Sequence, residues 1–366
     1  MTEDSMTPPP PATEAKSVEP IDPRADLALH ETRAQRFLTL PNGLEIACQS
    51  RTEAMHIWED LFDKRIYLRN GITLRDGATV YDVGGNIGLF TLFVHLNYRN
   101  ARTYTFEPAP PLFEILRTNT GRHGGWCRLF HCGVSERPGT ASLTFYPYSS
   151  GMSSFYADED EEKEILRAIL EHEAKEGVEG VDALARTSEE FLDARFTSET
   201  FECPLVPLSE IFRQQGTEVV DLLKVDVQKA ELDVLRGVAA EDWPRIRQVV
   251  LEVHDLDGQL QEVHELLGAH GFQVVTEQDP LLDGTVLYNL FAINQRMYSG
   301  AGTGTGRAEK SPNRRAAQQR RAAQQQRAAQ RTAQQKRALR RRRPAKPAET
   351  TSKQPEPETS SGPDPS

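Results

Sequence analysis

The sequence of 366 residues is poor in the features that mark secreted, membrane-spanning and zinc-binding proteins. It has only four cysteines, none of them in a Cys-x-x-Cys pair, so neither a disulfide framework nor a metal site is predicted. Its first residues do not show the basic segment followed by an apolar segment that marks a secretory signal peptide. The most apolar stretch, residues 80–96, contains Asp82 and is shorter than the roughly 20 residues that a bilayer crossing needs. We therefore expect a cytoplasmic protein without membrane contact.

Charge is distributed unevenly along the chain. The net charge is −11, but residues 301–366 carry +11 and the other 300 residues carry −22. Residues 314–343 contain 11 arginines among alanines and glutamines, and Leu339 is their one large apolar residue, which argues against a membrane-surface helix. Such a basic tail either binds polyanions weakly through their phosphates or only promotes solubility. The sequence leaves both interpretations open.

Composition divides the chain into three parts. Residues 1–36 are rich in Pro, Glu, Thr and Ser, and residues 300–366 are of low complexity, so both are predicted to be disordered. Residues 37–299 would form one α/β domain. Within it, the acidic segment at about 157–195 has apolar residues at helical spacing and predicts an amphipathic helical insert, either packed on the body of the domain or covering the substrate cleft.

From residue 79 onward, strand patterns alternate with helix patterns. Seven strands are predicted, at residues 80–83, 102–106, 128–132, 221–225, 248–253, 272–276 and 288–294. Helices are predicted between them, at residues 89–96, 111–120, 230–237 and 260–270. This alternation predicts a doubly wound, mostly parallel sheet. The loop before the last strand is too short for a crossover helix, so one strand should run antiparallel.

The first predicted strand of the main sheet runs into a glycine-rich turn and then a helix, as in a nucleotide cradle. A helix N-terminus and a backbone without Cβ atoms favour close approach of a polar ligand. A dinucleotide fingerprint that starts at Gly84 would need glycines at the positions of Asn86 and Leu89, so that fingerprint fails. Asp82 precedes the turn by two residues. A carboxylate there suits a ligand with a cationic amino group rather than a pyrophosphate.

A second carboxylate, Glu107, ends the next predicted strand. It lies 19 residues after Gly88, and an acidic residue about 20 positions beyond the glycine turn is placed to accept hydrogen bonds from ribose hydroxyls. A cationic amino acid group near Asp82 and a ribose near Glu107 together describe S-adenosylmethionine. The sequence therefore predicts that this molecule is the cofactor.

Five separated motifs resemble the FkbM-type family of S-adenosylmethionine-dependent methyltransferases. They are Asp82–Gly88, Phe106–Pro108 with Leu116 and Asn119, Asp221–Val227, Glu231 with Val234, Leu235 and Gly237, and Val250–His254. The resemblance covers residues 67–294 and implies a class I methyltransferase, Rossmann-like fold. It implies a donor site formed by Asp82, Gly84, Asn86, Gly88 and Glu107, with Gly133 and Val134 near the adenine.

Two positions depart from the family pattern. Gly85 stands where the family often has alanine, and we expect that difference to be harmless. Lys229 stands where many members have glycine. A long side chain there is expected to reshape the side of the site that receives the methyl acceptor.

Two further clusters are candidates for that acceptor side. Lys224 and Asp226 share one face of a strand, and Glu252 and His254 share one face of the next. We predict Lys224, Asp226 and His254 as catalytic, with His254 as the general base that accepts the hydroxyl proton. The alternatives are a buried Lys–Asp ion pair, a structural histidine and a divalent-ion site, for which no ligand spacing is diagnostic.

The most consistent interpretation is an S-adenosylmethionine-dependent O-methyltransferase acting on a hydroxyl of a small natural product or sugar. One alternative is an RNA or protein methyltransferase that recruits its substrate through the basic tail. Another is a non-catalytic binding protein with the same fold. The sequence does not specify an oligomeric state.

Overall fold

A seven-stranded sheet forms the centre of the protein in the computed structural model, which describes residues 36–123, 126–175 and 189–296. Most of the predicted N-terminal segment, the whole predicted basic tail and residues 176–188 of the predicted insert lie outside the described residues. Their predicted disorder and the proposed polyanion binding of the tail stay predictions, as do the domain boundaries.

The described residues contain twelve strands and eight α-helices. The strands are β1 (Arg36–Thr39), β2 (Glu45–Cys48), β3 (Thr79–Val83), β4 (Arg102–Phe106), β5 (Trp126–Phe130), β6 (Gly133–Val134), β7 (Gly139–Phe145), β8 (Glu199–Val206), β9 (Leu222–Val225), β10 (Gln248–His254), β11 (Phe272–Glu277) and β12 (Leu287–Asn294). The helices are α1 (Arg51–Trp58), α2 (Leu89–Asn97), α3 (Pro110–His123), α4 (Glu159–Lys175), α5 (Glu189–Arg195), α6 (Leu208–Gln215), α7 (Glu231–Arg236) and α8 (Gln259–Ala269).

The order of strands in the main sheet is β11-β12-β10-β9-β3-β4-β5. β12 pairs antiparallel with both β10 and β11, and the other neighbours are parallel. This confirms the predicted Rossmann-like fold with a single antiparallel strand. That strand is inserted between β10 and β11 rather than placed at the edge.

Apolar clusters cover both faces of this sheet. Successive residues of β3 point to opposite faces, and Val80 belongs to one buried cluster while Tyr81 belongs to the other. The first cluster contains the apolar side chains of α2, and the second contains those of α6, α7 and α8. The sheet is thus doubly wound, as predicted, and its buried strands hold the ends that carry the candidate site.

A hairpin and a helix precede the main sheet. β1 and β2 pair antiparallel around the turn at Asn42 and Gly43. α1 begins at Arg51, because the Ser50 hydroxyl oxygen accepts a hydrogen bond from the Glu53 amide at 3.2 Å and caps the helix. It continues as one π-helical segment, Glu59–Lys64.

A second sheet, of order β6-β8-β7, was not predicted. β8 lies in its middle, parallel to β6 and antiparallel to β7. Its sequence, Glu199–Val206, combines charged residues with Pro204, and this composition hides the strand signal. α4 and α5 fall within the predicted acidic insert, between β7 and β8. In the described part of the chain, no helix has the length and apolar character of a membrane span.

Candidate active site

The glycine turn after β3 is held against the neighbouring strands by backbone contacts. The amides of Gly84 and Gly85 both donate to the Phe106 carbonyl oxygen, at 3.0 and 2.8 Å. Gly84 has φ +82°, and a Cβ atom there would lie 1.8 Å from the Asp226 carbonyl oxygen. No side chain fits that gap. The turn therefore brings the ends of β3, β4 and β9 together.

Glu107 lies beside this turn, as the sequence predicted. One carboxylate oxygen accepts from the Asn86 amide at 2.8 Å and the other from the Ala109 amide at 2.9 Å. The side chain is buried, and burial raises the pKa of the Glu107 carboxyl to about 7 against the opposing effect of the two amide bonds. Each oxygen keeps a lone pair that can accept a hydroxyl group.

Asn119 braces the turn from the opposite side. Its amide nitrogen donates to the carbonyl oxygens of Ile87 and Ala47, at 2.8 and 2.9 Å, and its side-chain oxygen accepts from the Ala47 amide at 2.7 Å. The side chain is fully buried. One residue of α3 therefore joins the β1–β2 hairpin to the glycine turn.

A cavity of about 260 Å³ opens between these elements. Seven of the predicted site residues line it: Gly84, Asn86, Glu107, Gly133, Val134, Lys224 and Asp226. Among the polar lining residues that the predicted site omitted are Tyr67, Gln228 and Glu252. Glu252 precedes the predicted base by two positions on β10, and that shared strand face was the only signal for it in the sequence.

Asp82 is not among the residues that line the cavity, and the predicted contact between its carboxylate and the ligand stays a prediction. It is fully buried, with the Thr91 hydroxyl donating to Oδ2 at 2.8 Å and Lys224 Nζ lying 3.2 Å from Oδ1. In the parallel register Asp82 stands directly opposite Lys224. Asp82 therefore acts on the cavity through Lys224.

Gly88 also lies behind the cavity wall rather than in it. It caps α2 with φ +87°, and a Cβ atom there would lie 2.7 Å from Leu116 Cδ1. Gly88 turns the chain into α2 while α3 packs closely against it, and its predicted cofactor contact stays a prediction.

Gly85 is matched to a specific neighbour on β4. A Cβ atom at Gly85 would lie 2.4 Å from Thr105 Cγ2. Thr105 is buried and its hydroxyl lies 2.7 Å from that of Thr91, so the methyl group has little room to move. The difference from alanine is therefore tied to Thr105 and is not neutral in this chain, contrary to the expectation.

Two hydrogen-bond donors and one nearby cation hold the carboxylate of Asp226 in the cavity. The Tyr67 hydroxyl donates to Oδ2 at 2.9 Å, Gln228 Nε2 donates to Oδ1 at 3.2 Å, and Lys224 Nζ lies 3.7 Å from Oδ2. Burial lowers the pKa of Lys224, but the nearby carboxylates of Asp82 and Asp226 outweigh it and the net shift is upward. Lys224 therefore stays a cation.

Glu252 shares Gln228 with Asp226. The same Nε2 atom donates to Glu252 Oε1 at 3.2 Å. Burial, and then the charge of Asp226, raise the pKa of the Glu252 carboxyl to about 7. A carboxyl group with such a pKa exchanges a proton readily at neutral pH.

His254 does not line the cavity, and its predicted role as the base stays a prediction. Its Nδ1 atom lies 3.2 Å from Oε1 of Glu231, on α7, and both side chains are buried. Burial lowers the pKa of His254, but the bond to Glu231 and the surrounding carboxylates outweigh it, so the net shift is upward. The ring is oriented by this pairing, away from the cavity.

The residues of the cavity fit S-adenosylmethionine. Glu107 offers a carboxylate for the ribose hydroxyls, and the cavity walls include the apolar residues Ile87, Phe106 and Val134. Within the described ranges, no group of three or more His, Cys, Asp and Glu side chains is placed to hold a metal ion.

Comparison with known proteins identifies the family. The model of the methyltransferase FkbM domain matches residues 82–274. A 31-O-demethyl-FK506 methyltransferase, FkbM, of Streptomyces tacrolimicus is 43% identical over 255 residues, which are 70% of this chain and 95% of that protein. The AMB antimetabolite synthetase AmbE of Pseudomonas aeruginosa is 37% identical over 275 residues, which are 73% of this chain and 13% of that protein.

A crystal structure of a methyltransferase FkbM from Methylobacillus flagellatus KT aligns with a TM-score of 0.37 at 13% identity, covering 62% of this chain and 46% of that one. The family model covers more than half of the chain and includes the glycine turn, Glu107, Asp226 and Glu252. The chain belongs to the FkbM family of S-adenosylmethionine-dependent methyltransferases.

Proposed function

We propose that the protein transfers the methyl group of S-adenosylmethionine to a hydroxyl oxygen of a small molecule. The observation that carries this proposal is that one cavity contains both Glu107 and the pair Asp226 and Glu252. The first is suited to a ribose. The second pair is suited to a hydroxyl group, because an attacking hydroxyl must lose its proton and a carboxylate can accept it.

The cofactor, when bound, supplies an electrophilic methyl group. In this proposal Glu107 accepts hydrogen bonds from its ribose, Gly84 and Asn86 approach it with their backbone, and Gly133 and Val134 lie near its adenine. These assignments are supported by the position of each residue in the cavity wall.

On the acceptor side we assign Glu252 as the proton acceptor in place of His254. Glu252 lines the cavity and its carboxyl has a pKa of about 7, which suits a general base at neutral pH. Asp226 would orient the hydroxyl, and Lys224, whose Nζ atom lies 3.7 Å from Asp226 Oδ2, would help to hold that carboxylate in place. Close placement of the reacting groups supplies much of the rate of such a transfer.

A small-molecule acceptor is also supported by charge and by the relatives. Residues 1–300 carry −22, and such a body repels a phosphate backbone. A relative that is 43% identical is named for methylation at an oxygen of FK506. An RNA or protein acceptor, recruited by the basic tail, is the competing outcome of the test.

The test is a product search with methyl-deuterated S-adenosylmethionine. Metabolite extracts, total RNA and total protein are incubated with the protein, and labelled products are identified by mass spectrometry. We expect a small-molecule product in which a trideuteromethyl group has replaced the proton of a hydroxyl oxygen. Label in RNA or protein, or on a nitrogen or carbon atom, would overturn the proposal.

The base assignment is tested on the same acceptor. Glu252→Gln should lower turnover by about 10²–10⁴-fold, and turnover of the wild type should rise as the pH increases through about 7, where Glu252 ionises. His254→Gln is the matched control, because His254 lies behind the wall. An equal loss in both variants would contradict the assignment.

A further inference from the structure

The loop between β9 and α7 has an unusual backbone at two neighbouring residues. Gln228 and Lys229 have φ values of +52° and +77°, and neither is a glycine. Side chains disfavour this left-handed region, and it persists only where the surrounding structure imposes it. The contacts of these two residues should therefore show what holds the loop.

Lys229 is held by the first turn of α4. Its Nζ atom lies 2.8 Å from Glu161 Oε2 and 3.0 Å from Glu162 Oε2. Lys229 and Glu162 are 6% and 2% exposed, so this ion pair is buried. Burial raises the pKa of Glu162 despite the lysine, whereas the two carboxylates raise that of Lys229 against burial.

The chain that leads into α4 touches the same loop. The Ser154 hydroxyl donates to the Gln228 carbonyl oxygen, and the Tyr156 hydroxyl donates to Asp233 on α7. Ser153 and Phe155, on either side of Ser154, line the cavity. This segment, residues 153–162, is therefore attached to the loop at Ser154 and again at Glu161 and Glu162. Its first residues form part of the cavity wall.

Gln228 faces the acceptor end of the cavity. Its Nε2 atom donates to both Asp226 and Glu252 and so spaces the two carboxylates. The backbone of the same residue is the part fixed by Ser154 and by the adjacent Lys229. A change at Lys229 would therefore be transmitted to the two carboxylates through one residue.

We propose that Lys229 is a positioning residue: by binding Glu161 and Glu162 it fixes residues 153–162 against the loop and thereby holds Gln228 between Asp226 and Glu252. The proposal rests on the proposed function only in treating this end of the cavity as the acceptor side. A glycine at position 229 would relieve the backbone but leave Glu162 buried without its cation, which is strongly unfavourable.

The experiment follows the titration of Glu252 by ¹³C NMR of protein with labelled glutamate carboxyl carbons, assigned with Glu252→Gln. It needs no acceptor. The bond from Gln228 lowers the pKa of Glu252, so a displaced Gln228 raises that pKa. We compare Lys229→Met with the double variant E161Q/E162L, because the first removes a positive charge near the site and the second removes two negative charges.

The two mechanisms predict different results. If Lys229 acts by position, both variants raise the pKa of Glu252, by about one unit for the loss of one hydrogen bond to a charged group. If it acts only through its charge, the two variants shift that pKa in opposite directions, and the proposal is overturned. An unchanged pKa in both variants would also overturn it. Lys229→Arg keeps the contact and should behave like the wild type.

Folding of the variants is controlled with K229M/E162L, which replaces the buried pair by apolar side chains of similar volume, an exchange that is often neutral for stability. It should fold and still show the raised pKa of Glu252. Affinity for S-adenosylhomocysteine, measured by calorimetry, should stay within about twofold of the wild type, since Glu107 and the glycine turn are untouched. If product searches find no methylated alcohol, the proposed function fails while this titration still decides the role of Lys229.

Discussion

The ammonium group of Lys224 lies 3.2 Å from the carboxylate of Asp82, and both side chains are buried beneath the glycine turn. The same Nζ atom donates to the Gly84 carbonyl oxygen at 2.6 Å. β3 and β9 are adjacent and parallel, and their register places the two residues opposite each other. The pair therefore joins the turn to the strand that carries Asp226.

Removing one member of this pair should destabilise the protein. Lys224→Met leaves Asp82 buried without its cation, and we expect the free energy of unfolding to fall by about 3–5 kcal/mol, as measured by chemical denaturation. Lys64→Met is the control: its pair with Asp60 is exposed, so the change should stay below about 1 kcal/mol. If both substitutions lowered the free energy of unfolding equally, burial of the Lys224–Asp82 pair would add nothing to its stabilising effect.

Gly85 and Thr105 should behave as a matched pair. Gly85→Ala places a methyl group against Thr105 Cγ2, and overpacking of this kind lowers the free energy of unfolding by about 1–3 kcal/mol. Thr105→Ser removes that methyl group while keeping the hydroxyl that contacts Thr91. The double variant should therefore recover most of the loss.

Gly151→Ala serves as the control for this pair, because no atom lies within 4 Å of a Cβ there. Thermal unfolding of the wild type and of these four variants measures the loss and recovery of stability. If Thr105→Ser gives no recovery in the Gly85→Ala background, the contact is not the cause of the loss.

Binding of S-adenosylhomocysteine should weaken as the pH falls below about 7. Burial gives Glu107 a pKa of about 7, and only the ionised carboxylate accepts from two ribose hydroxyls at once. Affinity should fall by up to about tenfold per pH unit, as expected for one proton. Calorimetry between about pH 5.5 and 8.5 measures the affinity for S-adenosylhomocysteine.

Glu107→Gln should bind weakly and with little dependence on pH. Glu252→Gln should retain the pH dependence, since Glu252 also has a pKa of about 7 but belongs to the acceptor end. A pH-independent affinity of the wild type would argue against ribose recognition by Glu107.

His254 should stabilise the protein at low pH rather than at high pH. Its pKa is raised in the folded state by Glu231 and the neighbouring carboxylates, although burial opposes this. The stabilisation is therefore complete below the unfolded pKa of about 6.5 and is lost as the pH rises through the higher folded value. Urea denaturation measures the free energy of unfolding of the wild type and of His254→Gln. The difference between the two proteins should be larger at about pH 6 than at about pH 9, which lie on either side of the unfolded pKa of about 6.5. A difference that grows with pH would contradict this pairing.

Local sequence patterns were sufficient to predict the main sheet. The strand, glycine turn and helix of residues 79–97 need only short-range rules, since apolar runs, glycines and helix formers lie next to each other in the chain. Glu107 was found in the same way, because its spacing from Gly88 fixes its place at the end of the neighbouring strand.

The directions of buried charged side chains could not be read from the sequence. Asp82 pairs with Lys224 only because β3 and β9 are neighbours in register. His254, on strand β10, contacts Glu231, which belongs to helix α7. Strand alternation placed Glu252 and His254 on one face but could not say which of them reaches the cavity. In each case the deciding contact joins residues from different elements.

The position of β9 has a consequence for synthesis of the chain on the ribosome. β9 sits beside β3 in the sheet, yet Leu222 follows Val83 by 139 residues. At translation rates of about 5–20 residues per second, β9 is synthesised on the order of ten seconds or more after β3. During this interval its open edge can pair with other nascent chains, so the yield of active protein should depend on how quickly the middle of the message is translated.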